Sequence, residues 1–534
     1  MKTSIYDAFN QVAQAQPSAE SLYFAGQSLS FGELDNHCSV LASVIHDFLD
    51  NPDPVEAGLE TCIGLFMNKR LESVISLYGI LRSGCAYVPL DVKNPADRLR
   101  YIIDQCKIRL FVTCADNLDE LTAIVEPLTS TVDILVLSED ELVLPDTRHR
   151  ITRVDLGSNG ISIKPPTTSI SSDHLAAVLY TSGSTGTPKG VMITHGNVLT
   201  FTDWSQTYFD ITASDRCISH APLHFDLSLF DIYAAHLAGA STVLVPDGMG
   251  GNPKFLTKFV ALNRISIWQS VPSVLVLMLK YGDLNRHDFS ALRHVLFAGE
   301  RVSTSNICGV AQYFNAAVFH NVYGCTETND TFVYSFNPAT QPVPDPLPIG
   351  KPLSYVDVLV VDSSDQSVIK GQPGELLVKA PTHMRGYRHQ LQEEPGFDSR
   401  IPNAGYYRTK DIVFENEQGD YVFCGRTDDI VKTNGYRVNL LEIENLLQTH
   451  PLIKEVAVIP QSDDEIGNRI IAVINAPDKQ PSVIELKKFC AEKLPKYAIP
   501  HIIEIGSTEL PKTSSGKTSK QTIIKLRARH VETA

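Results

Sequence analysis

Residues 179–191 read Leu-Tyr-Thr-Ser-Gly-Ser-Thr-Gly-Thr-Pro-Lys-Gly-Val. The apolar stretch 176–180 predicts a strand, and it opens into a loop dense in glycine, serine and threonine with Lys189 near its end. Glycines let the backbone approach an anion closely. Successive N–H groups and hydroxyls then cradle a polyphosphate, and a lysine offsets its charge. The spacing is not that of a Walker A loop, because Gly190 follows Lys189 where that motif carries Ser or Thr.

Outward from this loop, short apolar runs alternate with amphipathic segments from about residue 20 to 300. "RLESVISLYGILRSG" (70–84) has helical spacing and stops on Gly84, and "CAYVPLD" (85–91) follows as a short strand. "IRLFVTC" (108–114) and "STVLVPD" (241–247) read as buried strands. The alternation predicts an α/β fold with mainly parallel sheets. After about residue 340 the pattern shifts to strands joined by Gly and Asn turns, which predicts a β-rich subdomain. From 428 a new unit starts, with "NLLEIENLLQTH" and "SVIELKKFCAEKL" as helices and "EVAVIPQ" and "RIIAVINA" as strands. The Ser/Thr/Pro-rich segment 158–172 reads as a connector.

Charge marks the same boundary. The chain of 534 residues has a formal net charge of −15, but 428–534 holds 15 basic and 14 acidic residues, so the acidity resides in 1–427. We expect a large N-terminal core over 1–427 and a small α+β lid over 428–534. A hydrophobic content of 43% with 8% aromatics excludes a disordered chain. The acidic balance argues against a nucleic-acid partner. The longest apolar runs, such as 274–279, fall far short of the ~20 residues that span a bilayer. Ten scattered cysteines without C-x-x-C or Cys/His finger spacing predict reduced thiols. The N-terminus lacks an apolar signal region and the C-terminus a lipidation signal, so a cytoplasmic protein without a membrane partner is expected.

The loop "YTSGSTGTPKGV" resembles the signature loop of adenylate-forming ligases, the superfamily of acyl-CoA synthetases, luciferases and nonribosomal peptide synthetase adenylation domains. The resemblance spans nearly the whole chain, in order: "LSFGEL" (29–34), "LRSGCAYVPLD" (81–91), "FDLSLFDIY" (225–233), "NVYGCTE" (321–327), "GELLVKA" (374–380), "YYRTKDI" (406–412), "GRTDDIVKTNGYRVNLLEIE" (425–444), "LPKYAIP" (494–500) and "LPKTSSGK" (510–517). It implies two half-reactions. A carboxylate attacks the α-phosphate of ATP, releasing pyrophosphate, and a thiol then displaces AMP to give a thioester.

The resemblance also implies roles. Thr181, Ser182, Gly183, Ser184, Thr185, Gly186 and Lys189 would hold phosphates. Glu327 would contact Mg²⁺, an ion that takes one or two carboxylates alongside phosphates and waters. Thr326 would contact a phosphate. Tyr323 would stack on adenine and Asn321 read its amino edge, with Val322, Gly324 and the strand end Ala298, Gly299 and Glu300 lining the pocket. Asp411 would accept from both ribose hydroxyls and Arg426 would assist, although a surface salt bridge is the alternative for Arg426. Lys517 would reach the substrate carboxylate and α-phosphate as a mobile point charge. Asp428 resembles the hinge of lid rotation, after which Lys432 and Gly435 would face the site for thioester formation.

Asp226 sits where amino-acid-activating members place the aspartate for the substrate ammonium; locally it also suits a helix N-cap before "LSLFDIYAAHL". The remaining wall positions by resemblance are Leu227, Phe230, Leu296, Ala298, Val322, Asp330 and Thr331, with Trp268 or Gln269. The mostly apolar set looks most like free-standing ligases that load L-proline, and Asp330 departs from it. With Lys517 only 17 residues from the end, we expect a free-standing enzyme whose acceptor is a separate carrier protein with a phosphopantetheine arm, or else coenzyme A. The alternatives are a D-alanine:carrier-protein ligase, an acyl- or aryl-CoA ligase, and a non-catalytic nucleotide-binding protein.

Overall fold

The computed structural model describes residues 3–49, 60–157, 170–181, 188–388, 405–477, 479–512 and 518–532. Ser182, Gly183, Ser184, Thr185 and Gly186 of the phosphate loop, Lys517, and most of the 158–172 connector lie outside the described residues.

Two large sheets dominate the N-terminal part. The nine-stranded sheet has a parallel centre formed by Glu20–Phe24, Ser241–Leu244, Arg216–Ser219, Ile267–Ser270, His294–Ala298 and Val318–Cys325. The eight-stranded sheet is parallel across Leu175–Thr181, Ala86–Pro89, Cys62–Phe66, Leu110–Cys114, Asp133–Leu137 and Arg150–Val154. One hydrophobic cluster draws from both sheets, with Leu65, Val112 and Ala176 on one side and Leu22, Ile267 and Leu296 on the other. The helices Phe31–Leu49, Leu71–Arg82 and His195–Tyr208 contribute to the same cluster.

The helix Leu71–Arg82 shows why. It is buried from Leu71 to Leu81 apart from Glu72, so the helical spacing read from sequence conceals an element covered on nearly every face. The Ser73 hydroxyl fixes its start by accepting from the Arg70 N–H at 3.0 Å. Gly79 lets Leu41 of the neighbouring helix pack at its Cα, where a Cβ would meet that side chain at 2.9 Å.

The shift after residue 340 is an antiparallel sheet of Asp357–Val361, Gly374–Lys379, Tyr407–Glu415 and Tyr421–Arg426. The C-terminal part opens with the hairpin Ile430–Thr433/Tyr436–Asn439. The three-stranded sheet Glu455–Asp463, Gly467–Asn475 and Ile502–Gly506 follows, covered by the helices Leu440–Gln448 and Val483–Ala491. Its apolar residues cluster among themselves, from Val438 to Ile503. All ten cysteines are unpaired. Among the described residues no helix is long and apolar enough to cross a membrane.

Candidate active site

A cavity opens where the parallel strands of the nine-stranded sheet end, the usual place for ligands in such sheets. From the sheet and its loops come Asp226, Leu227, Phe230, Gln269, Ala298, Gly299, Gly324, Thr326 and Asp330. Thr181 enters from the eight-stranded sheet, Asp411 and Arg426 from the antiparallel sheet, and Lys432, Gly435, Tyr436, Arg437 and Tyr497 from the C-terminal part.

The two described ends of the phosphate loop are opposed in register, with Thr181 facing Lys189 across antiparallel strands. The strands on either side of the loop therefore run antiparallel to each other. Lys189 Nζ stands 5.0 Å from the centroid of the Tyr387 ring.

Tyr387 leads to Glu327. Its hydroxyl donates to Glu327 Oε1 at 2.9 Å, and Arg437 Nη1 lies 3.0 Å from each carboxylate oxygen. Glu327 is 1% exposed. Burial alone would raise its carboxyl, but Arg437, a backbone N–H and Tyr387 outweigh burial and hold it below the ordinary value. Residue 327 is thus an ionised, buried carboxylate already matched to a cation. With the Thr326 hydroxyl beside it, this oxygen donor set fits Mg²⁺ held together with phosphates. In this arrangement the cation on Glu327 is Arg437. Among the described residues no cluster of three or more His, Cys, Asp or Glu could bind a metal without such phosphates. Neither Arg437 nor Tyr387 was singled out from sequence. Arg437 lies 110 residues from its partner, and Tyr387 carried no motif signal.

The nucleotide-binding candidates meet around Asp411. The Tyr323 hydroxyl donates to one of its oxygens and Arg426 to the other. Arg426 also grips Asp428 through Nε at 2.8 Å and Nη2 at 3.0 Å. Its side chain is 12% exposed, so the surface-salt-bridge reading of Arg426 does not hold. The expected hinge residue is fastened to the antiparallel sheet through it. Tyr323 is buried with its hydroxyl committed to Asp411, and Asn321 donates to the Pro348 carbonyl at 2.7 Å; neither lines the cavity. Glu300 Oε1 accepts from the Gly435 N–H at 2.5 Å. Burial pushes the Glu300 carboxyl up to about 7, against the pull of Gly435 and Ser273.

At the other end, Asp226 precedes the short helix Leu227–Leu229 but makes no capping hydrogen bond. The carboxylate therefore does not cap the helix through a side-chain bond, and it lines the cavity. Burial raises its pKa, the Thr326 hydroxyl and Lys432 oppose the rise, and Glu327 adds to it. The loop carrying Asp226 is anchored by Lys69, which sequence reasoning overlooked. Lys69 is buried, and its Nζ donates to the carbonyls of Ser219, His220 and Ala221 at 2.7, 3.0 and 3.0 Å. Burial lowers it to about 8, with Asp231 and Asp247 opposing.

Strand alternation decides between the two candidates at 268–269: Gln269 faces the cavity, and Trp268 packs into the core beside Phe314. Leu296, Val322 and Thr331 are fully buried and do not line the cavity. The Thr331 hydroxyl is already spent on the Tyr323 carbonyl at 3.2 Å. Phe201, from the helix His195–Tyr208, lines the cavity without having been anticipated.

The C-terminal part closes the cavity with aromatic rings. Tyr436 stacks on Tyr497 at 4.0 Å and meets Phe225 edge-on at 4.8 Å. The buried Arg98–Glu442 pair at 3.1 Å joins the same two parts. The residues flanking 513–517 are engaged within the C-terminal part. Lys512 pairs with Glu455, and Lys520 with Asp429 and Glu444.

This cavity, with the motifs that form it, is the site of an adenylate-forming enzyme. Residues 9–388 match the AMP-binding enzyme family and residues 442–517 its C-terminal domain, so the chain belongs to the AMP-binding enzymes, the AMP-forming ligases that the motifs resemble. It is similar to an L-proline–[L-prolyl-carrier protein] ligase of Pseudomonas fluorescens, 34% identical over 457 residues that cover 85% of this chain and 87% of that protein. A ligase of the same name from Streptomyces coelicolor is 32% identical over 515 residues, covering 94% and 93%. Among solved structures, an adenylation domain from Vibrio cholerae in complex with glycyl-adenosine-5′-phosphate superposes with a TM-score of 0.83 at 21% identity, covering 99% of this chain and 98% of that one.

Proposed function

We propose that this protein activates an amino acid, with L-proline the preferred one, as its adenylate and passes it to the phosphopantetheine thiol of a separate carrier protein. The observation that carries the amino-acid reading is Asp226. It is a half-buried carboxylate on the cavity wall, where desolvation raises its pKa even against the Thr326 hydroxyl and Lys432, and a substrate ammonium offsets that cost. Leu227, Phe230, Ala298 and Phe201 around it suit a small apolar ring. The names of the two ligases above, at 34% and 32% identity, support L-proline and a carrier-protein acceptor.

In this reading Asp411 would hold the ribose of ATP, and Glu327 would hold Mg²⁺, which would offset the charge of the phosphates. The division at 428 separates the adenylating core from a lid. With Lys432, Gly435 and Arg437 on the cavity, the lid stands in the pose for thioester formation. Lys517 then belongs to the other pose, in which the substrate carboxylate attacks the α-phosphate.

Amino-acid-dependent ATP–pyrophosphate exchange across the common amino acids and a few simple carboxylic acids tests this function. L-proline is expected to give the highest rate, with leakage to small neutral neighbours, because one methylene in an apolar pocket is worth only ~1–3 kcal/mol. Preference for an acidic, basic or large aromatic amino acid would overturn L-proline and leave the ligase standing. Preference for acids without an amine would overturn the amino-acid reading itself.

A further inference from the structure

The cavity holds a second carboxylate that an apolar substrate pocket has no use for. Asp330 lies on the strand Asn329–Phe336, opposite Gly324, and lines the cavity together with Asp226. Its backbone is committed, since its N–H donates to Asn329 Oδ1 at 2.6 Å and its carbonyl accepts from Tyr355 at 3.4 Å. Its carboxylate has no hydrogen-bond donor among the described residues. The carboxylate is half-buried and desolvated in the cavity, and a ligand that supplies a donor offsets that cost. The charges facing it identify that ligand. Asp226 stands near enough to disfavour its ionisation, and Lys432 of the C-terminal part near enough to favour it. The same lysine acts on Asp226. The structure therefore already presents an ammonium to this pair of carboxylates, from the protein itself.

We propose that Asp226 and Asp330 together bind the substrate's ammonium, so that the pocket takes a secondary ammonium such as that of proline, with one N–H for each carboxylate. Proline nitrogen carries two N–H donors when charged, whereas a primary amino acid carries three and leaves one unmatched on this pair. The inference rests on the amino-acid reading above and extends it to a residue that departs from the otherwise apolar wall.

The test uses the full-length protein and Asp330→Asn and Asp330→Val, the latter a strand-compatible apolar replacement. KM for L-proline, for trans-4-hydroxy-L-proline and for ATP is measured by pyrophosphate exchange. Losing a charged acceptor is expected to raise KM for L-proline about 10–100-fold in both variants, with KM for ATP unchanged. The pH profile separates this role from a structural one. Burial and Asp226 push the Asp330 carboxyl up to about 7 against Lys432, and Tyr355 is the other titratable group beside it. The carboxylate forms as pH rises through that value, so the wild-type KM for L-proline falls between about pH 6 and pH 8 and the Asp330→Asn profile flattens. Unchanged KM for L-proline in both variants overturns the inference while leaving amino-acid activation intact. A loss confined to hydroxyproline also overturns it, by assigning Asp330 to the side chain. If the wild-type protein exchanges no amino acid, the functional reading fails and this inference fails with it.

Discussion

Glu327 and Asp330 are near neighbours in the chain and both carry carboxylates, the first buried and the second half-buried, and their surroundings differ. Glu327 has a guanidinium 3.0 Å from both oxygens and a phenol on one of them, and its carboxyl is held low. Asp330 has another carboxylate and Lys432 nearby, no donor among the described residues, and a carboxyl pushed up to about 7. The first environment is satisfied within the protein, by a residue of the C-terminal part. On the inference above, the second is satisfied when a cationic ligand arrives. On the proposed function, one end of the cavity is set by the position of a lid and the other by the substrate. An enzyme that uses one cavity for two half-reactions needs that separation, because the lid can exchange its groups while the amine end keeps hold of the acyl group.

The sharpest way to break this division is Lys517→Ala. On the proposed function, Arg437 and Gly435 line the cavity in this pose and Lys517 acts in the other. The variant is expected to lose ~10²–10³ in pyrophosphate exchange, the usual cost of removing a positioned charge at a developing anion. Supplied with a chemically made aminoacyl-adenylate and a carrier protein, it is expected to form the thioester at nearly the wild-type rate. A parallel fall in both steps would mean that the lid does not divide them.

Asp226→Ala attacks the other end. It leaves the substrate ammonium buried without its main partner, and amino-acid-dependent exchange is expected to fall about 100-fold through KM. An Asp226→Ala enzyme with wild-type kinetics would place the amine elsewhere. Arg437→Gln sharpens the comparison with a smaller effect. It leaves Glu327 buried without a cation in this pose, so the pose loses population and the thioester step is expected to slow about 10-fold, with a smaller change in exchange. Rapid-quench measurement of each half-reaction distinguishes the two.

The contrast also shows what the amino-acid order alone conveyed. Alternating periodicities revealed the parallel sheets, and the change to Gly- and Asn-turned strands revealed the antiparallel sheet, because both depend on local spacing. The shift at 428 was visible in charge as well as pattern, and the apolar residues from Val438 to Ile503 cluster among themselves. Asp226 was ambiguous for a local reason, since an aspartate before an apolar helix looks the same whether it caps that helix or faces a cavity. The absence of a capping bond separated the two. The pairings that set the electrostatics could not be read from spacing. Arg437 reaches Glu327 across 110 residues, and Lys69 reaches Ser219 across 150. Leu296, Val322 and Thr331 were assigned to the wall by resemblance, which fixes a strand but not the depth at which the cavity ends.

The central claim is that the amine end of the cavity exists to hold an ammonium, and a pair of ring acids of nearly equal size tests it most directly. In ATP–pyrophosphate exchange, L-proline and cyclopentanecarboxylate differ by the nitrogen alone. The account predicts robust exchange with L-proline and a kcat/KM at least about 100-fold lower with cyclopentanecarboxylate, since a site built around desolvated carboxylates rejects a ligand that leaves them unpaired. Comparable exchange with the two acids would contradict it.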